Sequence, residues 1–185
     1  MRGAALTWAA MLAGGCGLTD SALFGSVETA ELTVTSPAFA DTQALPARYA
    51  CAAYGGSGQT PPLRWSGAPP GTTTAFAIVA DVLDTSTGGY VSWVVANIDG
   101  NTSQVIEGAR PAKAVESLNT SDGTDYVAPC PPRGERHRYR FTVYALSERV
   151  ALAHGAPLRE GLAAIAEKTV GRGRIIGTFE PPGWR

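Results

Sequence analysis

Runs of apolar residues alternate with glycine- and proline-rich turns along most of the chain, a pattern typical of a β-rich fold. Thr74 to Ala80 and Val91 to Ile98 are almost wholly apolar, which predicts central strands covered on both faces. The strands that the whole pattern predicts are Leu32 to Thr35, Thr74 to Asp81, Tyr90 to Ile98, Arg138 to Leu146 and Ile175 to Phe179.

The segment that begins at Arg138 alternates between apolar and polar residues, as a strand with two unlike faces does. A single helix is predicted near the C-terminus. It begins near Pro157, which suits a first-turn position, and it ends near Lys168 and Gly171. The basic stretch Gly171 to Arg174 is then predicted to be a turn after this helix rather than a nucleic-acid contact.

Composition agrees with one β-rich domain. The chain has 185 residues, 44% of them hydrophobic, with 22 glycines and 13 prolines. This is enough to bury a core, and it implies many turns. With 15 Lys and Arg against 16 Asp and Glu, the formal net charge is −1, so no large basic surface for nucleic acid is expected.

The first 15 residues have the features of an export signal. Arg2 supplies a positive charge, and Ala4 to Ala13 is apolar but too short to span a bilayer. A run of small residues then precedes Cys16. This arrangement resembles the bacterial lipoprotein cleavage box, although Ala13 occupies the position where that box usually has leucine. Cys16 is therefore predicted to become the lipidated first residue of the mature chain. The alternative is a plain secretory peptide cut somewhat later.

This interpretation divides the chain into a signal peptide (1–15), a flexible tether (16–30) and one domain (31–185). It predicts a lipid-anchored protein on the periplasmic side of a bacterial cell envelope, or alternatively a soluble periplasmic or secreted protein. Cys51 and Cys130 remain in an oxidising compartment, where a disulfide persists. In the chain-entropy model, closing so long a loop contributes about 4 to 5 kcal/mol. Two unrelated buried thiols are the alternative.

Five segments follow one another in the order and spacing of one protein family. They are Ala47–Cys51, Pro61–Gly67, Ser92–Ile98, Pro129–Gly134 and His137–Tyr139. The chain resembles the phosphatidylethanolamine-binding proteins, in particular their bacterial branch called Raf kinase inhibitor-like, over about residues 32 to 180. The resemblance implies a mainly β fold with a large central antiparallel sheet, a smaller sheet and few peripheral helices. It also implies a small pocket for phosphate-like and other anionic groups.

The chemistry of such a pocket can be argued from residue types. His137 and Tyr139 are two apart on a predicted strand, so they point to the same side. Together they can offer an imidazole N–H and a phenol O–H to one oxyanion. Pro131 and Pro132 stiffen the loop just before them, because proline has a fixed φ and lacks a backbone donor.

The resemblance adds residues from the two apolar strands. In the family, an Asp-Pro-Asp-Ala-Pro segment ends the earlier strand, and a histidine precedes the tryptophan of the next. These positions correspond to Asp81 and Ser92 here, while Leu83 replaces the second aspartate. Asp81 would orient and charge His137, or the two would form only a buried structural pair. The complete candidate ligand-binding set is Asp81, Tyr90, Ser92, Pro131, Pro132, His137 and Tyr139.

Asp81, Ser92 and His137 are also formally the parts of a serine hydrolase. The chain has no Gly-x-Ser-x-Gly elbow, and its other histidine, His154, falls in a predicted exposed loop. We therefore predict no catalytic residue, no metal and no cofactor, and the protein is not expected to be an enzyme. Asn119 is predicted to have a structural role in its loop.

The sequence thus predicts a cell-envelope lipoprotein that performs no chemistry. Its domain binds a small anionic ligand, such as a phospho-headgroup, or a partner protein. The alternative is an inhibitor or regulator of an envelope protease or other enzyme, since relatives in this family are associated with protease inhibition. A charged His137 would attract an anion more strongly than a neutral one, so phosphate binding should weaken as the pH rises.

Overall fold

The computed structural model describes residues 29–85 and 89–183. In these ranges the chain forms nine strands, one α-helix and two short 3-10 helices, Ala47–Tyr49 and Ala52–Tyr54. The strands are β1 (Ala30–Glu31), β2 (Thr33–Thr35), β3 (Leu63–Ser66), β4 (Ala75–Val82), β5 (Tyr90–Asp99), β6 (Gln104–Val105), β7 (Val115–Glu116), β8 (His137–Leu146) and β9 (Thr169–Phe179). The predicted signal peptide, Cys16 and most of the predicted tether lie outside the described residues.

The strands form a large sheet and a small one. The large sheet has six strands in the order β1-β9-β8-β4-β5-β7, and the small sheet has three in the order β2-β3-β6. Neighbouring strands are antiparallel except for β1, which runs parallel to β9. The predicted mainly β fold is confirmed, with the difference that the large sheet is mixed at this one edge.

The large sheet is covered on both faces, as predicted for its two apolar strands. On one face, side chains such as Ile78 and Phe141 form a core with Trp65 of the small sheet. On the other face, small residues such as Ala77 pack with Ile165 of the helix. Burying apolar surface on both sides provides the main driving force for this layered arrangement.

The predicted helix is confirmed as α1, which spans Leu158–Lys168. Proline suits the position just before it, because Pro157 has a fixed φ and no N–H that the helix would need. Its inward side includes Ile165, which is buried against the large sheet. No helix in the described ranges is long and apolar enough to cross a membrane.

The prediction of a turn at Gly171 to Arg174 is wrong, because β9 begins at Thr169 and runs through this stretch. The glycines serve a close approach of two backbone segments. A Cβ atom on Gly173 would lie 2.0 Å from the backbone oxygen of Leu32, and one on Gly171 would lie 2.7 Å from the Leu32 side chain. The chain between β1 and β2 therefore crosses directly over β9, which only glycine allows.

Candidate ligand-binding site at the start of strand β8

A disulfide fixes the loop that leads to the candidate site. Cys51 and Cys130 are bonded, with their Cα atoms 5.4 Å apart, as the sequence predicted. Beside the bond, the backbone N–H of Cys51 donates to the carbonyl oxygen of Pro129 over 3.0 Å. The hydroxyl of Tyr54 donates to the carbonyl oxygen of Pro131 over 2.7 Å. The loop that contains Pro131 and Pro132 is therefore held to the second 3-10 helix and to Cys51 just before it.

His137 and Tyr139 lie on the same face of β8, but they differ in exposure and in partners. Tyr139 is 5% exposed and belongs to the core. Burial raises the pKa of its phenol well above the ordinary value, and a backbone hydrogen bond from Cys130 acts in the opposite direction. The side chain of His137 is 13% exposed, and its Nε2 lies 2.8 Å from a carboxylate oxygen of Glu135. The histidine is thus the more accessible of the two.

Asp81 does not lie beside His137, and the predicted pairing of these two residues is wrong. Asp81 is the register partner of Arg140, whose guanidinium donates to both carboxylate oxygens over 2.9 and 2.6 Å. Side chains alternate between the faces of a strand, so Arg140 points to the face opposite His137 and Tyr139. The side chain of Asp81, its register partner, therefore lies on that face as well.

Ser92 lies in a β-bulge of β5. The register against β4 shifts between the pairs Ala80–Trp93 and Asp81–Val91, which leaves Ser92 without a partner residue. The serine is 2% exposed, and its hydroxyl donates to the carbonyl oxygen of Ala80 over 3.1 Å. Because Asp81, Ser92 and His137 each bond a different group, the structure does not assemble a catalytic triad from them.

Tyr90 and a residue that the sequence reasoning missed lie near the same end of β8. The hydroxyl groups of Tyr90 and Ser121 are 2.6 Å apart. Asp84, the missed residue, accepts hydrogen bonds from the backbone N–H of Arg138 over 2.7 Å and from its guanidinium over 2.6 Å. These bonds hold the pKa of Asp84 below its ordinary value, against the opposite effect of burial. A carboxylate just beyond a strand end was the only sequence signal for this role.

The site therefore consists of phenols, one imidazole and the carboxylates of Asp84 and Glu135, which already bond Arg138 and His137. Tyr54, Asp84 and Tyr90 are close enough to Tyr139 to act electrostatically on it. No cluster of three or more His, Cys, Asp or Glu side chains that could hold a metal ion occurs in residues 29–85 and 89–183. Such an arrangement is suited to recognition by hydrogen bonds and charge.

Two further predictions concern residues away from β8. Asn119 is 2% exposed, and its side chain donates to the backbone oxygen of Asp125 and accepts from the N–H of Ser121 and Gly123. This confirms its structural role in the loop. His154 is exposed, as predicted.

Comparisons with known proteins agree on one family. A family model described as phosphatidylethanolamine-binding protein matches residues 35–180. A Mycobacterium tuberculosis protein named "Putative lipoprotein LppC" is 37% identical over 150 residues, which cover 80% of this chain and 72% of the relative. A UPF0098 protein of Methanothermobacter thermautotrophicus is 32% identical over 80% of this chain and 98% of its own length.

Two solved structures have the same fold. CT736 of Chlamydia trachomatis, a homologue of the same family, superposes with a TM-score of 0.73 at 29% identity, over 82% of this chain and 99% of its own. Escherichia coli YbcL superposes with a TM-score of 0.73 at 24% identity, over 80% of this chain and 98% of its own.

Proposed function

Because the chain belongs to the phosphatidylethanolamine-binding protein family, we propose that it is a lipid-anchored binding protein of the cell envelope that performs no chemistry. The name of the mycobacterial relative supports the lipid anchor. The ligand we propose for the site at β8 is a small anionic group of the phosphate type.

The observation that carries this proposal is the position of His137. His137 is the first residue of β8, shortly after the loop that the disulfide fixes, and the one hydrogen-bond partner of its ring in the described ranges is the carboxylate of Glu135. A carboxylate is itself an anion, so this contact supports an anion as the kind of group that the imidazole binds. A soluble anion must compete with Glu135, and we therefore expect weak binding, about millimolar.

Phosphate binding should respond in opposite directions to changes at these two residues. His137→Ala should abolish binding at this site, whereas Glu135→Gln should strengthen it about threefold or more, because a competing charge is removed. The measurement is an NMR titration with inorganic phosphate, read at the backbone amides of Arg138 and Tyr139 in every variant and at the His137 ring signals where the ring is present.

The chain offers a convenient control for this titration. It contains two histidines, and the second, His154, is exposed on another loop. His154→Ala removes the second set of ring signals and should leave phosphate binding unchanged. If the His137 signals do not move with phosphate in either the wild-type protein or Glu135→Gln, the site does not bind anions.

The lipid anchor is tested separately at Cys16. Because small residues and an apolar segment precede it, we expect a mature N-terminus at Cys16 that carries lipid. Cys16→Ser should move the protein from the membrane fraction to the soluble fraction or leave the signal uncleaved. Mass spectrometry of the mature N-terminus decides the question, since an unmodified Cys16 or a different first residue contradicts the anchor.

A further inference from the structure

A groove of about 840 Å³ lies on the outer face of the large sheet, opposite the face that carries His137. Its lining includes residues of β8 and β9 and the segments around residues 29–32 and 41–42. Alternate residues of β8, Arg140, Thr142 and Tyr144, form part of its floor. Of the residues described above for the site at His137, only Arg140, the partner of Asp81, also lines this groove.

Two arginines of β9 line the groove beside this floor. Arg172 and Arg174 are both exposed, and being two apart on a strand they share one face. The guanidinium group of neither forms a hydrogen bond or an ion pair with another residue in the part of the chain that the structure describes. Arg140 differs, because both oxygens of Asp81 bind its guanidinium. Two positive charges therefore face the groove without a partner.

A hydroxyl of β8, that of Thr142, lines the groove at the same place. Thr142 is the register partner of Arg174, so its side chain is on the same face. It is 8% exposed and lines the groove, and within the described ranges its hydroxyl has no hydrogen-bond partner. The hydroxyl is not among the buried atoms that lack a partner, so it is accessible from the groove and can donate to a ligand oxygen there.

Carboxylates at the rim limit how strongly this groove attracts an anion. Asp41 accepts a hydrogen bond from the backbone N–H of Ile176 over 2.8 Å. Glu31 is the register partner of Arg172 on the neighbouring strand β1 and also lines the groove. Glu31 forms no ion pair with Arg172, so its charge opposes an incoming anion without neutralising the arginine.

We propose that Arg172, Arg174 and Thr142 form a second anion site, which binds the phosphate group of a phosphate ester. A phosphate presents several acceptor oxygens and can take bonds from two guanidinium groups and a hydroxyl at once. The groove is larger than the ion, which leaves room for the organic part of the ester. The site lies across the sheet from His137 and does not depend on the function proposed there.

The test is an NMR titration of the protein with glycerol 3-phosphate, read at the backbone amides of Gly173 and Arg174. The double variant Arg172→Ala/Arg174→Ala should bind about tenfold or more weakly, and Thr142→Val about threefold more weakly. Glu31→Gln should bind about threefold more tightly, because a repelling charge is lost. Arg64→Ala removes an exposed arginine of the small sheet and should have no effect, as should His137→Ala.

A second arm distinguishes a soluble ester from a lipid headgroup. This arm uses soluble Cys16→Ser protein, so that the proposed anchor does not itself bind the vesicles. Its co-sedimentation with vesicles of phosphatidylglycerol and phosphatidylcholine should be lost when the two arginines are also replaced, if the phosphate belongs to a lipid. Binding of glycerol 3-phosphate without vesicle binding identifies a soluble ester. Equal binding by the wild-type protein and the double variant in both arms, or no binding in either arm, overturns the proposal. Loss of the Gly173 response in His137→Ala would also overturn it.

Discussion

Replacing Cys51 and Cys130 together with serine is expected to lower the free energy of unfolding by about 2 to 5 kcal/mol. The bond joins residues separated by 79 positions, so it restricts the unfolded chain strongly. In the folded protein it joins Cys51, which lies between the two 3-10 helices, to the loop that contains Pro131 and Pro132. Urea unfolding without reductant, followed by tryptophan fluorescence, measures the change.

The wild-type protein with an added reductant is the matched control for this variant. Reduction breaks the same bond without changing the sequence, so its unfolding midpoint should fall to that of the double serine variant. Equal midpoints for the oxidised wild-type protein and the variant would contradict a stabilising bond. Labelling of both Cys51 and Cys130 by a thiol reagent in the native oxidised protein would show that the bond does not form.

The long strands could be predicted from the sequence because the order of apolar and polar residues along each strand reflects which of its faces are buried. β4 and β5 are apolar over nearly their whole length, since both of their faces are covered. β8 alternates because its two faces differ. The short strands β1, β6 and β7 have two residues each, which is too few to show any period. They exist because longer strands next to them supply partners.

The candidate site could be predicted only in part, because side-chain pairing depends on register between distant strands. His137 and Tyr139 do share a face, which follows from their spacing of two. The partner of Asp81 could not be derived in this way. It is Arg140, 59 positions away, and the pairing is set by how β4 aligns with β8.

Ser92 shows a second kind of limit. A bulge removes it from the alternation of β5, and nothing in the local sequence marks this position as irregular. Glu135 is a different case, because it is only two residues from His137 and its carboxylate could have been considered as a local partner. The short-range contact was thus available from the sequence, and the long-range contacts were not.

Gly173→Ala is expected to destabilise the protein by about 3 kcal/mol or more, since added volume in a tightly packed place forces the backbone to shift. The new methyl group would meet backbone atoms of Leu32, which cannot move aside as the end of a flexible side chain can. Leu32 also lines the groove beside Arg172 and Arg174, so the glycine sets the shape of that groove as well. Thermal and urea unfolding measure the loss.

Gly89→Ala is the matched control, because no atom of the described residues, its chain neighbours aside, lies within 4 Å of the position that its Cβ would occupy. Its φ is outside the positive range, so alanine should be neutral there or stabilise by up to about 1 kcal/mol through the unfolded chain. A loss of stability in Gly173→Ala without a loss in Gly89→Ala would show that the crossing of Leu32 over β9 requires glycine at position 173. It would exclude a general effect of replacing any glycine by alanine. If Gly173→Ala were as stable as the wild-type protein, the segment between β1 and β2 could not lie this close to β9, and the wall of the groove would have to be placed elsewhere.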